Sequence, residues 1–213
     1  TKEQFQNWFM GENEGQDGEY DATYWENPNL TFPQQSLPSW ADFYNAFPKN
    51  ENNGYITFMN NHDVYNLVGG HPLTAHLAKN KLYQNACALR GSRALNYSNK
   101  PIGVIYQNGI QVTEKGSDNK NYILNAKAFN VYMNKTFPTP TFQLKNADNS
   151  SLDYNQMVNF IKNKTGLYNI INKDATKAGY SGHVDMIING QCLSGCDLDP
   201  DGGILKIEIW QLN

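Results

Sequence analysis

Asn85-Ala86-Cys87-Ala88-Leu89-Arg90-Gly91-Ser92-Arg93-Ala94-Leu95-Asn96-Tyr97-Ser98 is the stretch from which the rest of the chain is read. It predicts a helix over 86–96 with Asn85 as N-cap, and it sets a cysteine in the first turn. A thiol there meets the positive end of the helix dipole and backbone N–H groups that have no intrahelical acceptor. Both favour the thiolate, the nucleophilic form. About a hundred residues on, Ser181-Gly182-His183-Val184-Asp185 opens an apolar run that reads as a strand. A histidine brought from such a distance can take the thiol proton, and the chemistry becomes acyl transfer through a thioester.

The bulk properties suit an enzyme of this kind. The 213 residues fit one domain or a domain with an extension, and charged residues are only 17% of them. Mean hydropathy is −0.64, so neutral amides rather than charges make the chain polar. The net charge of −3 and the lack of a Lys/Arg cluster argue against a nucleic-acid partner. No apolar run reaches membrane-spanning length, and there is no basic-then-apolar leader pattern. Because the chain starts at Thr1, that does not exclude export.

Outward from the Cys87 helix, residues 1–38 read as an N-terminal extension or linker, turn-rich and closed by prolines, and 39–213 as the main domain. Ser39 and Asp42 form a capping box for a helix to about Phe47. A second helix spans 60–68, capped by Asn60 or Asn61 and closed by Gly69-Gly70. Further helices are expected over 126–136 and 152–163, the latter with Ser150 and Asp153 at capping-box spacing. The pattern then changes to strands at 166–171, 183–188 and 204–212. Helices first and an antiparallel sheet after them give an α+β fold, with the helical N-terminal half packed on a C-terminal sheet.

A helix-borne cysteine followed by a strand-borne histidine is the order of papain-like cysteine peptidases. The sequence resembles a narrower group, the fourth family of type VI secretion amidase effectors, which are related to NlpC-type peptidases. The resemblance rests on the 85–98 stretch above and on Ser39-Trp40-Ala41-Asp42-Phe43-Tyr44-Asn45-Ala46-Phe47-Pro48. Val68-Gly69-Gly70, Ser181-Gly182-His183-Val184-Asp185 and the pair Cys192/Cys196 complete it. It implies a papain-like peptidoglycan amidase that cuts the amide between D-glutamate and meso-diaminopimelate in stem peptides. Such an effector is secreted into the periplasm of a target bacterium, acts as a monomer without a cofactor, and is countered by an immunity protein.

The family usually holds an acid between the two late cysteines as third member of the triad. Here that position is Ser194, so three residues compete to orient His183: Ser194, Asp197, and Asp185, which shares a strand face with His183. Cys192 and Cys196 are close enough to bridge across a tight turn, which would leave Cys87 a free thiol; the competing reading is three unpaired cysteines in a reducing compartment, with Cys87 a small helix-packing residue.

Asp197-Leu198-Asp199-Pro200-Asp201-Gly202-Gly203 follows the start of a calcium loop. Asp197, Asp199, Asp201 and the Gly203 carbonyl are its candidate ligands for a structural calcium. Glu208 would be carried too far away by the last strand. An acidic hairpin turn in water is the competing reading. His62, His71 and His76 lack a metal-ligand spacing, although His76 is a candidate for the substrate groove. Arg90 reads as a helix-surface salt bridge, or as a cation that favours the thiolate. Two other functions stay open: a non-catalytic wall- or glycan-binding module on the same scaffold, and a Cys–His acyltransferase that delivers the acyl group to an amine.

Overall fold

The computed structural model describes residues 16–213. After a one-turn helix α1 (Ala22–Trp25), helix α2 (Trp40–Ala46) leads into a hairpin of β1 (Lys49–Asn52) and β2 (Tyr55–Phe58). Helices α3 (Asn61–Val68), α4 (Gly70–Leu77) and α5 (Cys87–Tyr97) follow. Two small hairpins, β3 (Tyr106–Gln107) with β4 (Ile110–Gln111) and β5 (Glu114–Lys115) with β6 (Asn121–Tyr122), precede α6 (Ala126–Thr136). Then come β7 (Phe142–Lys145), α7 (Tyr154–Ile161), β8 (Gly166–Asn172), α8 (Ala175–Ala178), β9 (Gly182–Ile188), β10 (Gln191–Cys192) and β11 (Ile204–Gln211). The last five strands of the chain form one antiparallel sheet in the order β10-β9-β8-β11-β7.

The fold is α+β, as the run of helices followed by strands predicts. Ser39 caps α2 by accepting from Asp42 N, Asn60 caps α3 through Asp63 N, and Asn125 caps α6 through Ala128 N. Each satisfies a donor the helix itself cannot. Two expected caps differ. Asn85 does not cap α5. Its Oδ1 accepts from Cys87 N at 3.0 Å, two residues on, as an Asx turn does, and Ala86 takes the cap position. Asp153 alone caps α7, while the Ser150 hydroxyl turns to Asp148.

Gly69-Gly70 does not simply end α3. Gly69, with φ +66°, is both the C-cap of α3 and the N-cap of α4, so the pair turns the chain sharply between two helices.

The main sheet is covered on both faces, and all seven residues of β8 are buried. One core joins Cys87, Ala88 and Leu95 of α5 and Phe129 and Met133 of α6 to Leu167, Val184, Met186 and Trp210 of the sheet. The other packs Met157 and Ile161 of α7 on Tyr168, Ile170, Ile207 and Ile209. Trp25, from the expected extension, belongs to the first core, and Leu30, Phe32 and Leu37 pack against it. Among the described residues, no helix is long and apolar enough to cross a membrane.

Candidate active site

Cys87 is the first residue of α5 and is a buried free cysteine. The chain before it is held on both sides: Asn85 Oδ1 takes the Cys87 N–H, and Tyr65 Oη donates to the Asn85 carbonyl at 2.8 Å. His183 and Asp185 lie on β9 and are buried. The Cys87 Sγ is 4.0 Å from the Gly182 carbonyl, the residue before His183.

Two glycines allow this approach. A Cβ on Gly91, one turn after Cys87 on the same helix face, would sit 2.6 Å from Val184 Cγ1 and 2.9 Å from Phe129 Cζ. A Cβ on Gly182 would lie 2.1 Å from the Ile170 carbonyl oxygen. Carbon atoms in contact sit about 3.5–4.0 Å apart. Only glycine therefore lets α5 lie against β9 and β9 against β8 at this point.

Of the three candidates for orienting His183, Asp185 makes the shortest bond to its ring, with Oδ2 at 2.9 Å from Nε2. Ser194 reinforces it. The Ser194 hydroxyl donates to the same Oδ2 at 2.6 Å, its N–H donates there at 3.0 Å, and its Oγ stands 3.3 Å from Nε2. Met186 N satisfies Oδ1 at 2.8 Å. Asp197 is directed elsewhere. Its Oδ2 accepts from Tyr180 Oη at 2.6 Å, and it reaches His183 only as a neighbouring charge.

The turn carrying Ser194 is closed by the Cys192–Cys196 disulfide. Tyr168 of β8 holds it down by donating to the Cys196 carbonyl at 2.6 Å.

Cys87 acts on the His183 ring as well and favours its protonated form. With Nε2 on Asp185, Nδ1 is the ring nitrogen left for the thiol. Burial disfavours the imidazolium. The bond to Asp185, its charge and the influence of Cys87 outweigh it and push the His183 pKa up to about 10. A thiol, an imidazole and a carboxylate are thus brought together, in the chain order Cys87, His183, Asp185.

The expected calcium loop is not a ligand set. Among the described residues, no three acidic, histidine or cysteine side chains converge to hold a metal. Asp197 is drawn inward by Tyr180, Asp199 and Asp201 are exposed, and Lys173 N donates to the Gly203 carbonyl at 2.9 Å. Glu208 lies buried in β11, bonded by Asn130, Asn134, Gln143 and Lys206.

Arg90 is no surface salt bridge either. It is buried and clamps the Met59 carbonyl ahead of α3 and Asn61 Oδ1 at its first residue. His76 is buried, stacks on Tyr65 and lies 3.3 Å from His62 Nδ1, a pairing their sequence spacing gives no sign of. A cavity of about 570 Å³ has Tyr83, Glu114 and Asn125 in its wall, and none of Cys87, His183, Asp185 and Ser194. Asn125 meets the Ser181 hydroxyl at 3.2 Å, one residue before Gly182.

Residues 83–210 match the family described as type VI secretion system (T6SS), amidase effector protein 4, Tae4. The chain belongs to the Tae4 family. Membership makes it an amidase effector of the type VI secretion system. Its fold is similar to that of Tae4 in the Tae4–Tai4 effector–immunity complex from Salmonella Typhimurium. That chain is 22% identical, with a TM-score of 0.60 over 83% of this chain and 99% of the other. Tae4 from Enterobacter cloacae is likewise 22% identical, with a TM-score of 0.61 over 85% and 100%. At that identity the likeness speaks to the fold alone. No curated protein matches the chain. The Tae4 match spans Cys87, His183, Asp185 and Ser194, and leaves residues 1–82 outside it.

Proposed function

We propose that this chain is a cysteine-dependent, papain-like peptidoglycan amidase that hydrolyses the D-glutamyl–meso-diaminopimelate amide of stem peptides. It acts in the periplasm of a target bacterium, as an antibacterial effector opposed by an immunity protein. The single observation that carries the reading is the meeting of the Cys87 sulfur, at the head of α5, with the start of β9, where His183 is bonded to Asp185. Family membership supplies the substrate class, and relatives solved with Tai4 support an immunity partner.

In this mechanism the Cys87 thiolate attacks the amide carbonyl. The oxyanion forms beside the first turn of α5, whose N–H groups lack intrahelical acceptors. The Cys87 N–H, held by Asn85 Oδ1, joins them only if that amide turns away. His183 gives its proton to the departing amine, and a thioester to Cys87 remains. It then takes a proton from water, which attacks the thioester and frees the acid. Asp185 fixes the ring and stabilises imidazolium, the role an acid plays in such triads. Ser194, with no charge of its own, holds Asp185.

The deciding experiment is digestion of purified muropeptides with product identification by mass spectrometry, comparing the wild type with Cys87→Ala. Cleavage between D-glutamate and diaminopimelate, absent in the variant, is expected. Intact muropeptides in both, or equal cleavage in both, would refute the proposal. Transfer to an added amine in place of water would assign the chain to acyltransferases.

A further inference from the structure

The first three N–H groups of α6 need acceptors from outside the helix. Asp17 Oδ2 accepts from Ala126 N at 2.8 Å, Ser181 Oγ from Lys127 N at 3.0 Å, and Asn125 Oδ1 from Ala128 N at 2.8 Å. Asp17 goes beyond capping. Its Oδ1 accepts from Ser181 N at 2.8 Å, and its Oδ2 also accepts from the Ser181 hydroxyl. The carboxylate therefore joins the start of α6 to the residue that precedes β9.

A neutral serine, threonine or asparagine serves as well as a helix cap. A carboxylate that is only 5% exposed is a costly choice for that task alone. Burial pushes the Asp17 pKa up, against the pull of its bonds to Ser181 and Ala126. Two of its three partners are atoms of Ser181. That residue is the last before His183 able to anchor the strand by a side chain, because Gly182 has no room for one. On its other side Ser181 is held only through its backbone, where its carbonyl accepts from Asn172 N at 2.9 Å. The Gly182 carbonyl then faces the Cys87 sulfur.

We infer that Asp17 is a positioning residue: through Ser181 it fixes the backbone that carries His183, and so sets the pairing of His183 with Cys87. This rests on reading those two residues as the reacting pair. It gives the segment ahead of residue 83, which lies outside the family match, a part in the chemistry.

The test uses the full chain carrying Asp17→Asn, Ser181→Ala, or both. The asparagine keeps the size but turns an N–H₂ donor toward groups that are themselves donors. Three quantities are read: kcat and KM on a stem-peptide fragment, the pH profile of Cys87 alkylation by iodoacetamide, and the melting temperature. Asp17→Asn should lower kcat about 10- to 100-fold with KM within about 3-fold. Its alkylation profile should move toward that of an unpaired thiol. The kcat of the double variant should be no worse than that of Asp17→Asn, since both changes break the Asp17–Ser181 link.

A lower melting temperature with wild-type kcat and alkylation profile would overturn the inference, as would fully additive losses. If the wild type leaves stem peptides intact, the proposed function fails, while the alkylation profile still reports whether Asp17 sets the pair. If Asp17→Asn does not fold, Ser181→Ala decides on the same measurements, because it removes only the hydroxyl.

Discussion

Gly91→Ala should disable the enzyme while hardly unfolding it. In an ordinary exposed helix, alanine in place of glycine stabilises by about 1 kcal/mol. Here the new Cβ would lie 2.6 Å from Val184 Cγ1 and 2.9 Å from Phe129 Cζ. Restoring contact distances of about 3.5–4.0 Å requires α5 and β9 to separate by about 1 Å. Overpacking of this kind costs about 1–3 kcal/mol, which cancels or exceeds the helical gain. At about 2–4 °C per kcal/mol for a chain of this size, the melting temperature falls by about 8 °C at most.

The rate is the more sensitive measure. Cys87 is one turn from Gly91, and Val184 is bonded in sequence to His183, so the forced separation opens the reacting pair. A displacement of about 1 Å costs on the order of 100-fold in kcat, or about 2.7 kcal/mol. Stopped hydrolysis of a stem-peptide fragment, analysed by mass spectrometry beside thermal melts, measures both. Adding Val184→Ala should return part of the activity by removing the nearest atom. A Gly91→Ala protein with a raised melting temperature and undiminished kcat would refute the reasoning.

Asp185→Asn should lower kcat by about 10³–10⁴-fold with a small change in KM, as loss of a triad acid does. Combining Asp185→Ser with Ser194→Asp should recover part of that loss, read by the same hydrolysis assay. Replacing both Cys192 and Cys196 by alanine should cost about 2 kcal/mol of stability, given the short loop they close, and should reduce kcat by loosening Ser194; urea unfolding and kinetics check the two effects. The folded pKa of His183, about 10, lies above its ordinary 6.5, so its stabilising contribution is complete below pH 6.5 and disappears as pH rises through 10. The urea midpoint should therefore drop over that alkaline range, and less steeply in His183→Gln.

The parts legible in the sequence were those whose signals are local. Helix α6 has its cap at Asn125 and its end just before Pro138, and β8 and β9 are apolar runs because both faces of the sheet are covered. His183 and Asp185 fall on one strand face by alternation alone. The β1–β2 hairpin was also within reach, since Asn53-Gly54 is a strong hairpin turn signal and both residues take positive φ there. The need for glycine at 91 was not, because it depends on Val184 and Phe129 arriving from elsewhere. Asp17 contacts Ser181 across 164 residues, and no spacing rule spans that separation. The aspartates at 197, 199 and 201 misled because alternating acids describe a calcium loop only when the backbone turns all of them inward. Tyr180 and Lys173 take the groups the ion would need.

A serine at position 194, where the resemblance leads one to expect an acid, makes physical sense once the geometry is followed. An orienting acid must reach one imidazole nitrogen, stay buried, and have its remaining lone pairs satisfied. On the disulfide turn, an acid would approach His183 from a separate element, and its placement would depend on that turn. At Asp185 it rides the same strand as the histidine, two residues away, so β9 itself fixes their spacing. The turn then needs donors, not charge, and Ser194 supplies two of them, its hydroxyl and its N–H. A second carboxylate at 194 beside Asp185 would instead set two like charges on one buried nitrogen. Ser194→Asp alone should therefore impair the enzyme, although it supplies the acid that the resemblance leads one to expect there. Activity should return only when Asp185 gives up its charge. Full activity of Ser194→Asp in the presence of an intact Asp185 would show that the two positions do not share one role.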